Sequence, residues 1–407
     1  MKNPIARWAE DARSRPSDRY VDTCDGLRAI AVLIIGWFHI WQQSWLYPEL
    51  TVLGRTISFD PLVRSGYIFV DMMILISGFC LYLPWARLRM DGGTRPDTLG
   101  FYARRLMRIH PSYLLCVLVM LIVALARGAY FAAGHLRVDL LSHLTYTHTF
   151  FYQAYYATNL GGSLWTLAIE MQFYLLFPLI ARAFTKRPLL TFAGMCAVSL
   201  AFRAWVRGNV TDYSMFFNQL PAYLDVYVCG MVAALIHVRL SRCRHNALTR
   251  VACTALSLLA VALLWQVCRG QARCSGTEAM QLGQMARRPA MGLLCGLLVV
   301  ASANSGLVLR RLIANPLTKF ISSISLQFYI WHQTLAVWFA QLRIIPSEYE
   351  YPNYAGDHPW QLAFTALCFL GAIAISALLT YGFERPVTRA LQRWWDGRKK
   401  ATAPNRA

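Results

Sequence analysis

The sequence predicts an all-α, polytopic integral membrane protein with about ten transmembrane helices and both termini in the cytoplasm. Three observations carry that prediction. The 407 residues are 57% hydrophobic and only 15% charged, whereas a soluble domain carries roughly 25% charged residues. Apolar segments of about 20 residues, the length a helix needs to cross a hydrocarbon core, recur along the whole chain. The basic residues, finally, are shared unevenly between the gaps that alternate from one side to the other.

In chain order the candidate spans are 27–46, 65–85, 110–127, 163–183, 187–205, 219–237, 248–267, 289–306, 318–341 and 361–383. The first contains His39 and the ninth His332; the second contains Asp71 and the fourth Glu170. None of these four is therefore a bland lipid-facing helix. With the N-terminus inside, the inward gaps hold 29 of the 40 Lys and Arg residues and the outward gaps hold 11. That is the positive-inside distribution, so the net charge of +20 reflects topology. Nucleic-acid binding is excluded, because no segment joins a basic patch to a soluble reading fold.

The chain divides into a cytoplasmic segment 1–26, a ten-helix membrane domain 27–385 and a cytoplasmic tail 386–407. The first segment is too long and polar for a signal-peptide n-region. Most of the 11 cysteines fall within spans or inward gaps. Cys268 and Cys274 lie together in an outward gap, and the sequence leaves open whether they form a local disulfide. No Cys/His set has zinc-ligand spacing, and no glycine-rich loop would cradle a phosphate.

Ionisable side chains in a bilayer need a partner or a purpose. Arg28 and His39 are 11 residues apart, about three helical turns and roughly 16 Å, so they share one face of the first helix. Counting from the span ends at about 1.5 Å per residue places His39, Asp71, Glu170, Asp225 and His332 in one layer of the outer half. That shared depth predicts a polar chamber opening outward, with His39 and His332 as the candidate bases near neutrality. The bland reading of any one of them is a hydrogen bond between helices. At the inner end of the third span, residues 105–111 read Arg105-Leu-Met-Arg108-Ile-His-Pro111. Arg105 and Arg108 are neighbours on a helix face and can hold a phosphate, or merely anchor lipid head groups.

The chain resembles the membrane acyltransferases of acyltransferase family 3 over residues 20–388. Asp25-Gly-Leu-Arg28 with His39 is similar to that family's R-x10-H signature. Gly66 to Asp71 and Ser77-Gly78-Phe79 resemble its second motif, and Arg105, Arg108 and Pro111 its R-x-x-R-x-x-P. Ser163-Leu-Trp165 through Glu170, Gln172 and Tyr174 resembles S-x-W-S-L-x-x-E-x-Q-F-Y. Ser325 to His332 and Phe383-Glu384-Arg385-Pro386 complete the series. Tyr223 stands where relatives often carry Arg, which bears on the acceptor.

The resemblance implies an enzyme of the bacterial inner membrane that takes an acyl group, usually acetyl, from cytoplasmic acetyl-CoA and places it on a glycan or lipid-linked saccharide. Arg28, Arg105 and Arg108 would hold the CoA donor. His39 would be general base or transient acyl carrier. Asp71 is expected to orient His39 and Glu170 to position the acceptor. Trp165, Tyr174, Asp225 and His332, with Trp331, are the candidates for contacting the sugar, the aromatics doubling as interface residues. Fused relatives carry a further soluble domain, so a hand-off here would need a separate periplasmic partner. No metal is expected. The rival class is a polytopic transporter or flippase, in which a His/carboxylate relay moves protons.

Overall fold

The computed structural model describes residues 20–130, 134–243 and 246–402, and side chains as far as 399. Numbering the long helices in order, α1 is Asp22–Ser44, α2 Val70–Asp91, α3 Thr98–Ala126 and α4 Trp165–Lys186. They are followed by α5 Pro188–Asn209, α6 Leu224–Arg242, α7 Ala247–Ala272, α8 Thr277–Ala303, α9 Pro316–Gln341 and α10 His358–Leu379. α10 runs through one wide turn at Thr380–Glu384 into α11, Arg385–Thr402. Among the described residues nine helices are long and apolar enough to cross a membrane, α10 and α11 counting as one.

α9 is the expected span that falls outside those nine. It is 26 residues long but carries Ser322, Ser323, Ser325, Gln327, His332 and Gln333. It tolerates them because it is enclosed by α1 and α10, and the polar groups find protein partners. Ser322 donates to Asp25 (3.2 Å), and Gln327 donates to Ser112 (2.7 Å) and Glu384 (3.0 Å). A helix walled by other helices does not need an apolar surface.

The centre of the bundle is set by backbone contact between α2 and α6. A Cβ on Gly78 would lie 2.5 Å from the Tyr227 carbonyl oxygen, and one on Gly230 would lie 2.2 Å from that of Leu75. Small residues facing each other let two membrane helices approach backbone to backbone. α2 is accordingly the most enclosed of the nine, with 78% of its apolar stretch buried, against 22% in α5 and α7 at the rim.

α3 begins twelve residues before the expected span. Pro111 is therefore inside the helix, and Arg105 and Arg108 sit on its body. An interior proline frees the carbonyl four residues earlier. Here that is Met107, whose oxygen accepts from Thr388 Oγ1 of α11 at 3.2 Å. The defect in one helix thus docks the other, and much of the expected polar tail is an amphipathic helix held on the bundle. Tyr20 and Asp25 line one cavity with Arg385, Thr388 and Arg389, so the two ends of the described chain meet at one face, here called the terminal face.

Two smaller features concern the segments between helices. β1 (Glu49–Val52) and β2 (Arg55–Ser58) form an antiparallel hairpin with Glu49 opposite Ser58. Its two-residue turn, Leu53-Gly54, has positive φ at both positions, the twist that short hairpins require. Cys268 and Cys274 are free thiols. α7 continues to Ala272, so Cys268 is fixed on a buried helix face with Cys274 beyond the helix end, too far along the axis for a bridge.

The segment between α3 and α4 folds over the opposite face. Its buried carboxylate Asp139 accepts from Tyr130 (2.6 Å) and pairs with His143 (3.0 Å), and the rings of His143 and His148 stack 3.9 Å apart. Burial, and then the neighbouring His143, push the His148 imidazole well below its ordinary value of 6.5. The unfolded residue takes up a proton below about pH 6.5 where the folded one does not. Stability is therefore complete above that value and falls as the pH drops beneath it. The expected result is a melting temperature that declines between about pH 7 and about pH 5. His148→Phe, which keeps a ring in the stack, should flatten that slope; an unaltered slope would place the acid sensitivity elsewhere.

Candidate active site

A cavity of about 280 Å³ lies between α1, α2, α3, α4 and α9. The helix periods explain its lining. On α4, Thr166, Glu170 and Tyr174 recur every four residues and stand one above another on the cavity wall. On α9, Ser325 and Tyr329 line it, and His332 follows one turn beyond. Arg28, Arg105 and Arg108 close the end toward the terminal face.

The three arginines are differently held. Arg28 donates to Asp25 (3.1 Å) and approaches the Cys80 sulfur (3.7 Å). Arg105 lies over the rings of Tyr174 (5.5 Å) and Phe101 (5.8 Å). The guanidiniums of Arg105 and Arg108 have no carboxylate within ion-pair distance among the described residues. Glu170 is fixed by two donors on the same oxygen: Ser77 Oγ at 2.7 Å and Tyr174 OH at 2.8 Å reach Oε1. Its second oxygen is left to the cavity.

Beyond the cavity stand the two imidazoles. The Tyr329 and His332 rings are 5.8 Å apart, and the His332 and His39 rings 5.2 Å. His332 is buried and its Nδ1 faces the Phe328 carbonyl at 2.8 Å. That nitrogen must carry the proton, which leaves the lone pair on Nε2. His39 is half-buried, with Nδ1 2.9 Å from Gln42 Oε1. The same logic gives His39 a basic Nε2. Arg28 and His39 thus mark two ends of a polar path along α1, with Glu170, Tyr329 and His332 between them.

The expected layer of five charges is divided among separate clusters. Asp71 does not meet His39. It pairs with Arg288 at 3.4 Å, and both are buried completely or nearly so. Arg288 also donates to the carbonyls of Phe217 (2.9 Å) and Ala222 (3.3 Å) and lies 3.8 Å over the Tyr223 ring. A guanidinium from α8 is therefore present beside the tyrosine that stands where relatives often carry arginine. Asp225 is bound to Arg203 of α5, at 2.5 Å through Oδ2. Its Oδ1 accepts from Arg203 (3.3 Å) and the Val226 amide (3.0 Å), so it staples α5 to α6 and has little left for a sugar. Trp165 packs 6.2 Å from Tyr223, and Trp331 is buried in the bundle. Tyr174 lines the cavity as a hydrogen-bond donor to Glu170. Sequence spacing sets depth along a helix but not which neighbour a side chain faces. The signal for Arg203 and Arg288 was the need of two membrane aspartates for cations.

Residues 21–381 match the family described as an acyltransferase domain. The chain is 30% identical to O-acetyltransferase OatA of Staphylococcus aureus (strain NCTC 8325 / PS 47) over 238 residues, covering 54% of this chain and 35% of that protein. It is 26% identical to peptidoglycan O-acetyltransferase OatA of Listeria monocytogenes over 210 residues, 47% of this chain and 30% of the relative. A relative from Staphylococcus aureus (strain COL) is 23% identical over 77% of this chain, which spans about half (50%) of that relative's length. No solved structure matches. With a matched region that takes in α1 to α10 and every helix lining the cavity, the chain belongs to this acyltransferase family.

Proposed function

We propose that the chain transfers an acyl group, acetyl in the first instance, from acyl-CoA to a hydroxyl of a glycan or lipid-linked saccharide. The observation that carries this reading is the cavity itself, which joins three guanidiniums at the terminal face to Glu170 and Tyr329, with His332 packed against Tyr329 beyond its wall and His39 against His332. The relatives named O-acetyltransferase and peptidoglycan O-acetyltransferase support a glycan hydroxyl as the acceptor. The excess of basic residues in the gaps on that side supports a terminal face turned to the cytoplasm, and the bacterial relatives support a bacterial inner (cytoplasmic) membrane. Membrane lipids surround the bundle, and a separate periplasmic partner would take up any hand-off on the outer side.

In this reading Arg28, Arg105 and Arg108 hold the donor's phosphates and the thioester enters the cavity. His39 Nε2 accepts the proton of the acceptor hydroxyl. The oxygen attacks the thioester carbonyl, the carbon–sulfur bond breaks, and the CoA thiolate leaves and is protonated. Gln42, not Asp71, orients the imidazole. His332 supports it from the buried side, and the free oxygen of Glu170 positions the acceptor.

The test is release of CoA thiol from acetyl-CoA by the purified chain in vesicles, dependent on added acceptor. Absence of release with any saccharide acceptor, together with saccharide or ion flux, would favour a transporter. Arg105→Ala and Arg108→Ala should each raise the KM for acetyl-CoA by roughly 10- to 100-fold with little change in kcat, as for a lost charge-assisted hydrogen bond. An unchanged KM would move the donor elsewhere.

A further inference from the structure

A second cavity, of about 540 Å³, opens at the terminal face and shares Arg28 and Arg108 with the first. Its wall carries five cations, Arg28, Arg108, Lys319, Arg385 and Arg389, against two acids, Asp25 and Glu384. Both acids are already engaged. Asp25 accepts from Arg28 (3.1 Å) and Ser322 (3.2 Å), and Glu384 accepts from Gln327 (3.0 Å). Arg385 lies over the Tyr381 ring at 4.3 Å. Arg108, Lys319 and Arg389 remain, and among the described residues none has a carboxylate within ion-pair distance.

Topological lysines and arginines point outward to head groups. These line a concavity that continues into the acyl chamber. The helix that carries Arg389 is also fixed in place: α11 is docked by Thr388 on the freed Met107 carbonyl (3.2 Å) and by Lys399 on Asp97 (2.5 Å). Like charges held together without counter-charges imply a multiply charged anion as occupant.

We propose that Lys319 and Arg389 form a subsite for a phosphate monoester, the 3′-phosphate of the CoA donor. The proposal rests on the chain's use of a CoA thioester. A CoA molecule carries a diphosphate beside the pantetheine arm and, at the far end, a 3′-monoester with a charge of about −2. Arg28 and Arg108 stand where the two cavities join and meet the diphosphate as the arm enters the chamber. The monoester then falls to the exposed cations on the wall of the outer cavity, Lys319 on α9 and Arg389 on α11.

The experiment measures binding of CoA and of 3′-dephospho-CoA to the purified full chain by calorimetry. The chain should bind CoA roughly 10- to 100-fold more tightly than 3′-dephospho-CoA, the effect of one or two charge-assisted hydrogen bonds. In the double variant Lys319→Gln/Arg389→Gln, CoA affinity should fall to the 3′-dephospho-CoA level while 3′-dephospho-CoA affinity stays constant. That constancy shows that the variant is folded and the junction intact. Equal binding of the two ligands by the unaltered chain would overturn the subsite and return its cations to lipid head groups. A preference that persists in the double variant would overturn it too. Binding of neither ligand would defeat the CoA-donor reading first, and the subsite with it.

Discussion

His39→Ala should reduce acyl transfer by about 10²- to 10⁴-fold, the range over which a positioned general base acts. The variant should bind donor normally, because Arg28 lies about 16 Å away along the same helix and Arg105 and Arg108 belong to α3. The expected signature is therefore a fall in kcat with KM for acetyl-CoA unchanged. His332→Ala should behave differently. His332 has its Nδ1 engaged by a backbone carbonyl and is sealed in the bundle, whereas His39 is half-buried. Loss of the inner imidazole removes a neighbour 5.2 Å from His39 and should cost less than loss of His39 itself. If a folded His39→Ala protein turned over near the normal rate, the general base would have to be sought among Glu170, Tyr329 and His332.

The helices were legible because apolar length is a one-dimensional property of the chain. Two things were not one-dimensional. The first was direction around the helix axis. Counting along the spans gives Asp71 and Glu170 the same expected depth, yet Asp71 turns to Arg288 while Glu170 turns to Ser77 and Tyr174. The second was satisfaction at a distance. Pro111 is the second residue of the expected third span, where a missing amide costs little, but inside α3 it leaves a carbonyl without a donor. The donor is Thr388, 281 positions away in sequence, on an element taken for a polar tail. α9 can be less apolar than the other spans for the same reason, Ser322 being satisfied by Asp25 and Gln327 by Ser112 and Glu384. The arginines at the cavity end were legible in type and spacing. Lys319 and Arg389 were not, since nothing in the sequence says that the starts of α9 and α11 share a cavity.

The Asp71–Arg288 pair separates architecture from chemistry. Removing one partner leaves the other charge uncompensated inside the bundle, which costs roughly 3–5 kcal/mol. Arg288→Met alone should therefore lower the melting temperature sharply, and so should Asp71→Leu. Their combination should recover much of the loss, because replacing a whole buried pair by apolar groups of similar volume is often close to neutral. Recovery will be incomplete. Arg288 also donates to the carbonyls of Phe217 and Ala222, and each of those bonds contributes about 1 kcal/mol. The net prediction is a double variant that is more stable than either single one and a few kcal/mol short of the parent. Its activity decides the role of Asp71. A carboxylate that only neutralises Arg288 can be deleted together with it, so the refolded double variant should retain most of its turnover. If instead the double variant is stable but loses transfer by the factor expected for His39→Ala, Asp71 acts on the reaction and not only on the fold. The buried pair would then have to be placed in contact with the reacting groups.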